Sequence, residues 1–239
     1  MKYKVLSAKK LESSLIDQAK QNDIEIIEQE FISIKPIFSQ EKLKQLKELI
    51  NSGVQHFVFT SNNAVAILKT VLQKNNLTNS CKIFCLSGKT KGTIVGYGFH
   101  EKNIIGVAEN AAALAREIID QKIGEVIFFC GNQRRDELPE ILKNAGTKVH
   151  EMIVYETIET PSMITNEFDA ILFFSPSAVK SFFSVNQLKK KTICFAIGQT
   201  TADSISDFTD NKIIVSEFPN QETMIASLQN YFQNINCYE

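Results

Sequence analysis

The chain has 239 residues, 44% hydrophobic and 22% charged, with a formal net charge of −1. That balance is ordinary for a soluble globular protein and excludes a broadly basic surface for nucleic acid, so any anionic ligand must be held by local groups. The opening M-K-Y-K-V-L-S-A-K-K lacks the apolar core of a signal peptide, and no stretch reaches the ~20 apolar residues of a membrane span, so the expected location is the cytoplasm.

Apolar runs recur along the chain at 3–7, 24–27, 56–60, 82–86, 125–130, 170–174 and 192–197, with shorter ones at 103–107 and 212–216. They are rich in Ile, Val and Phe and mostly lack alternation, the pattern of strands buried on both faces. Amphipathic stretches lie between them. Residues 40–50 place Leu43, Leu46, Leu49 and Ile50 on one face, and 111–119, 133–145 and 221–232 behave alike. This alternation predicts an α/β protein of parallel sheets with helices on both faces. Of the five cysteines, Cys81, Cys85, Cys130 and Cys194 belong to apolar runs; with Cys237 the number is odd, and reduced thiols are expected. Cys81 and Cys85 lack the second ligand pair of a metal site.

The sequence also repeats itself. V-F-T-S-N-N-A-V-A-I-L (58–68) parallels L-F-F-S-P-S-A-V-K-S-F (172–182), and C-L-S-G-K-T-K-G-T-I (85–94) parallels F-A-I-G-Q-T-T-A-D-S-I (195–205). Residues 5–36 and 126–161 both run strand, helix, strand, then an extended segment closed by Pro36 or Pro161. Two similar lobes are predicted, interleaved in sequence: 1–34 plus 160–239, and 37–152. The extended segments 28–36 and 151–160 are expected to cross between them as paired linker strands. A ligand held in the cleft between lobes is the natural expectation.

In open parallel sheets, ligands bind beyond the carboxyl ends of the strands. Five polar loops are expected there: Ser61-Asn62-Asn63, Ser87-Gly88-Lys89-Thr90, Gly131-Asn132-Gln133-Arg134-Arg135, Ser175-Pro176-Ser177 and Gly198-Gln199-Thr200-Thr201. Ser, Asn and Thr there cap helices, Pro176 suits a first helical position, and helix N-termini leave N–H groups for carboxylate or phosphate. One helix end contributes only about 0.3–1 kcal/mol toward an anion, so several must combine with charged hydrogen bonds of about 1.5–3 kcal/mol each. Arg134 and Arg135 are expected to open a helix, either as a solvated charged turn or as ligand contacts. Gly88-Lys89-Thr90 is not a P-loop, because Ile83 stands where that motif needs glycine. His56, His100 and His150 are scattered and unlinked to any nucleophile pattern. Tyr155 falls on a crossing strand, either as a core residue or as a cleft hydroxyl.

The segments F-T-S-N-N-A-V (59–65), C-G-N-x-x-R within 128–146, V-Y-E-T (154–157), F-F-S-P-S-A-V-K-S-F (173–182) and A-I-G-Q-T-T-A (196–202) together resemble the uroporphyrinogen-III synthase family. The resemblance implies two flavodoxin-like lobes joined by a two-stranded linker. It implies cyclisation of hydroxymethylbilane, a linear tetrapyrrole polycarboxylate, with inversion of the terminal pyrrole, loss of water, and no cofactor or metal. It further implies that Tyr155 hydrogen-bonds the departing hydroxyl. Lys9, Ser61, Asn62, Asn63, Gly88, Thr90, Gly131, Asn132, Arg135, Ser175, Pro176, Ser177, Gly198, Thr200 and Thr201 are then substrate-binding, and the chain works as a monomer without nucleic acid or membrane. Asn62 departs from the proline common at that position. The competing expectations are a non-catalytic bilobal sensor or carrier for a small anion, and a nucleotide-using transferase, against which the missing glycine fingerprints speak.

Overall fold

The protein, seen in a computed structural model, is described here for residues 1–75, 77, 81–97 and 99–236. Cys237, whose state the sequence leaves to expectation, lies outside them. The chain divides into two compact units. A terminal unit comprises Met1–Ser33 with Ile158–Glu239, and a central unit comprises Ile34–Thr157.

The terminal unit holds strands β1 (Tyr3–Ser7), β2 (Ile24–Glu28), β9 (Ala170–Phe173), β10 (Ile193–Ala196) and β11 (Ile213–Val215). All pair in parallel, in the order β11-β10-β9-β1-β2. Numbered within the unit this is the flavodoxin order 2-1-3-4-5, with the reversal of strand order between β1 and β9. Helices α7 (Pro176–Phe183) and α8 (Gln199–Ser206) cover one face through Val179, Phe182 and Ile205. Helices α1 (Ser13–Lys20) and α9 (Gln221–Asn236) cover the other through Leu15, Ala19, Met224, Ile225 and Leu228.

The central unit repeats this plan from a different starting strand. It holds β4 (His56–Phe59), β5 (Lys82–Leu86), β6 (Ile104–Ala108), β7 (Glu125–Gly131) and β8 (Lys148–Glu159), with β3 (Ile32–Pro36) at the edge. The order is β3-β8-β7-β4-β5-β6, with the ladders from β8 to β6 parallel. Matching β4 with β9 and β5 with β10, as the sequence repeats require, matches β6, β7 and β8 with β11, β1 and β2. The two sheets are then the same sheet, circularly permuted, and the second reversal of strand order falls between β4 and β7. Helices α3 (Asn62–Lys74) and α4 (Lys89–Gly96) take one face, and α5 (Ala111–Asp120) and α6 (Glu137–Asn144) the other. Helix α2 (Gln40–Asn51), the amphipathic stretch at 40–50, packs on its own unit through the fully buried Leu46. Strand interiors carry the core: Phe57, Phe59, Phe84, Phe128 and Phe129 are at most 1% exposed, each contributing roughly 1.5–3 kcal/mol of burial.

β3 and β8 run antiparallel. Thr160 N–H donates to the Phe31 carbonyl at 2.9 Å and Ile37 N–H to that of Val154 at 3.0 Å, so one index rises as the other falls. The β8 strand is longer than the expected linker segment. It starts at Lys148 because its first residues pair with β7, from Glu125↔Lys148 onward. The helix expected over 133–145 is also corrected: α6 begins at Glu137, leaving Arg134 and Arg135 in the preceding turn. From that turn Arg134 bonds Glu151 on β8.

Candidate active site

Each polar loop follows a parallel strand and precedes a helix, so all emerge at the carboxyl edge of their own sheet. In the central unit the reversal of strand order lies between β4 and β7, and the loops leaving these two strands carry Ser61 and Gly131-Asn132. Here the structure brings candidate residues into contact. Ser61 is the N-cap of α3, and its Oγ accepts from the Asn63 backbone N–H at 3.2 Å. The Tyr155 hydroxyl donates to the same Ser61 Oγ at 3.0 Å.

Tyr155 reaches that point through an irregularity in the β7–β8 ladder. Register runs one-to-one from Glu125↔Lys148 to Cys130↔Ile153, then shifts so that Gly131 faces Tyr155. The ring lies on Gly131: a Cβ built there would sit 2.4 Å from Tyr155 Cε2 and 2.9 Å from its hydroxyl oxygen. Only glycine permits that approach. Asn132 then holds the strand from both directions, its backbone N–H donating to the Tyr155 carbonyl at 3.1 Å and its side-chain Oδ1 accepting from Thr157 N–H at 2.9 Å. That carbonyl oxygen therefore serves the fold, and only the amide nitrogen of the exposed Asn132 is left for a ligand.

Burial pushes the Tyr155 phenol above its ordinary value, while its interactions with Ser61 and the Asn63 side chain pull the other way without reversing the shift. The phenol is therefore a proton donor across the neutral range. Behind the turn, Arg134 binds Glu151 through Nε at 2.6 Å and through a terminal nitrogen, and Lys143 binds the other Glu151 oxygen at 2.9 Å. Burial works to raise the Glu151 carboxyl, but its bonds to Lys143 and Arg134 outweigh it and hold the group below the usual range. Sequence reasoning treated Arg134 as part of a helix start and missed Glu151. No motif spacing marks the pair, because it is made across 17 residues by strand register.

Other expected residues make none of these contacts. Gly88, the N-cap of α4, adopts a left-handed φ of 65°, which favours glycine there. Thr90 in the first turn of α4 is buried. Asn62 is the half-buried first residue of α3. Arg135 is exposed, with no partner among the described residues.

In the terminal unit the equivalent loops leave β9 and β1. Ser175 caps α7, accepting from Ala178 N–H at 3.2 Å, with Pro176 in the first helical position and Ser177 beside it. Lys9 lies with its ammonium 5.9 Å from the Phe174 ring, and its carbonyl accepts from Ser7 Oγ at 2.6 Å. Gly198 caps α8; Thr200 is exposed and Thr201 buried.

Among the described residues no group of His, Cys, Asp and Glu side chains is arranged to hold a metal ion, and no helix is long and apolar enough to cross a membrane. Cys81, Cys85, Cys130 and Cys194 are buried and outside any disulfide, and burial pushes their thiols up to about 11, or about 12 for Cys194.

Residues 13–226 match the family model described as uroporphyrinogen-III synthase HemD. A relative from Schizosaccharomyces pombe, named uroporphyrinogen-III synthase, is 25% identical over 209 residues, 79% of this chain and 80% of its own length. The crystal structure of uroporphyrinogen-III synthetase from Helicobacter pylori superposes with a TM-score of 0.70 at 16% identity, covering 96% of this chain and 99% of that one. A mutant uroporphyrinogen III synthase from Thermus thermophilus gives 0.65 at 13% identity, covering 98% and 99%. These two structural likenesses bear on the fold.

Proposed function

The chain belongs to the uroporphyrinogen-III synthase family, and from that premise we propose that it is a lyase of tetrapyrrole biosynthesis. It converts hydroxymethylbilane to uroporphyrinogen III, inverting the terminal pyrrole and releasing water. The observation that carries this reading is the family match across 13–226, nearly the whole chain.

The chemistry asks little of the protein beyond geometry. Loss of the substrate hydroxyl gives an electrophilic azafulvene. The distal pyrrole must attack it from its substituted carbon, through a spiro intermediate, before direct closure gives the symmetric type I isomer. Holding the chain folded for that attack is a problem of orientation, and keeping water from the electrophile is one of exclusion. The half-buried Tyr155–Ser61 pair suits protonation of the departing hydroxyl, since it offers O–H donors that stay protonated at neutral pH. The exposed Arg135, the Asn132 amide and the helix starts at Asn62-Asn63 and Gly88 are assigned to substrate carboxylates. So are Lys9, Ser175, Ser177, Gly198 and Thr200 of the terminal unit. The buried Thr90 and Thr201 are assigned to holding the starts of α4 and α8 in place. The enzyme works as a monomer in the cytoplasm, where its buried thiols stay reduced.

The test is to supply hydroxymethylbilane to the purified protein and separate the product isomers. Type III product formed faster than spontaneous closure is expected; type I alone, at the unassisted rate, rejects the reading.

A further inference from the structure

We infer that Ser61 is the catalytic residue that touches the departing hydroxyl, with Tyr155 supplying the proton from behind it. The inference rests on the cyclase reading and deepens it. A serine hydroxyl has two acceptor positions and one donor. Both acceptor positions of Ser61 Oγ are occupied, one by Tyr155 O–H at 3.0 Å and the other by the Asn63 N–H at 3.2 Å. What Ser61 has left is its own O–H. Tyr155, by contrast, has its only O–H turned to Ser61, and its ring is fixed there against Gly131. Asn132 bonds the Tyr155 carbonyl and the Thr157 N–H, which holds in place the strand that carries the phenol.

The step balances within the substrate and these two side chains. Ser61 O–H gives its proton to the substrate hydroxyl as the carbon–oxygen bond breaks, and the electron pair leaves with oxygen as water. The pyrrole nitrogen lone pair fills the vacancy on carbon, giving the azafulvenium cation. Tyr155 passes its proton to Ser61 Oγ and becomes phenolate. The substituted carbon that attacks carries no hydrogen, so the spiro intermediate breaks its older bond to the neighbouring methylene, giving a second azafulvenium cation. The unsubstituted carbon of the same ring then attacks that methylene and releases its proton, which restores Tyr155. Asn63 is a positioning residue: its backbone N–H fixes the serine oxygen.

The experiment is a double-mutant cycle on kcat for type III product. Tyr155→Phe and Ser61→Ala should each lower kcat about 100-fold with KM little changed, and the double variant should be no worse than the poorer single one, as for groups acting as a unit. Ser61→Thr, which keeps the hydroxyl, should recover activity to within about tenfold of wild type. Ser61→Asn keeps a helix-capping oxygen without a hydroxyl and should stay as inactive as Ser61→Ala, which separates chemistry from folding. Ser61→Ala or Ser61→Asn within about threefold of wild type while Tyr155→Phe is impaired would show direct donation by Tyr155 and overturn the inference. So would losses that multiply in the double variant. A wild-type protein making no type III isomer would instead sink the cyclase reading on which the inference stands.

Discussion

The two units fold the same sheet and wire its ends differently. In each, an acidic residue occupies the same place: Ser7 pairs with both Leu172 and Glu28, as Phe128 pairs with both Val58 and Glu151, and Val58 and Leu172 are repeat equivalents. In the terminal unit Glu28 accepts from a loop amide, Leu11 N–H at 2.6 Å. In the central unit Glu151 instead gathers Arg134 and Lys143, and the strand continues through a register shift to Tyr155. The shift aims a phenol at the α3 cap. The corresponding cap of α7, Ser175, accepts its own helix amide, with no tyrosine bonded to it among the described residues. Duplication thus supplied two scaffolds, and one bulge with its glycine made one of them chemically different. The lesson is that the proposed chemistry rests on a local irregularity rather than on the fold both units share.

That difference can be broken most severely at Tyr155. Tyr155→Phe should reduce turnover about 100-fold while leaving the thermal midpoint nearly unchanged, whereas Lys9→Ala on the terminal unit should raise KM only a few-fold; steady-state kinetics separates the two. Gly131→Ala comes next. Its Cβ would meet the Tyr155 ring at 2.4 Å, so the ring must move, and turnover should fall on the order of tenfold or more with about 1–3 kcal/mol of lost stability by denaturant melts. Gly124→Ala, where nothing lies within 4 Å, should leave turnover unchanged.

Arg134→Ala removes one partner of a pair whose side chains are 25% and 20% exposed, and should cost about 1–2 kcal/mol. Lys189→Ala removes a partner of Glu167 in a pair 65% and 74% exposed and should cost under about 1 kcal/mol. The pH dependence follows from Glu151. Its carboxyl is held below the usual range, so its stabilisation is complete above the unfolded value of about 4.3 and is lost as pH falls through the lowered folded value. Glu151→Gln should flatten the acid limb of the melting curve below about pH 4, and an unchanged limb would remove Glu151 from acid stability. Ser175→Ala should cost about 1 kcal/mol through loss of the cap, with KM altered more than kcat.

Much of the scaffold was legible in the chain. Strands such as Lys82–Leu86 and Glu125–Gly131 are continuous apolar runs because both sheet faces are covered, and the paired Ser61 and Ser175 segments betray the duplication. The parallel α/β character and the family resemblance both hold. The start of α6 was not legible, since local pattern favoured helix through Arg134, and the bond of that residue to the distant Glu151 leaves no mark in the sequence. Nor could spacing reveal that Tyr155 meets Ser61, 94 residues off in sequence, because the meeting depends on one bulge. Burial separated Thr201 from Thr200, a distinction that adjacent identical residues cannot show.

The most direct test is the isomer ratio of the macrocycle made from hydroxymethylbilane by the wild-type chain and by Tyr155→Phe, measured side by side against substrate alone. The account predicts type III from the wild type and a shift toward type I in the variant, as unassisted closure overtakes the slowed enzyme. A wild type no different from substrate alone, or a variant matching the wild type in both rate and ratio, would contradict it.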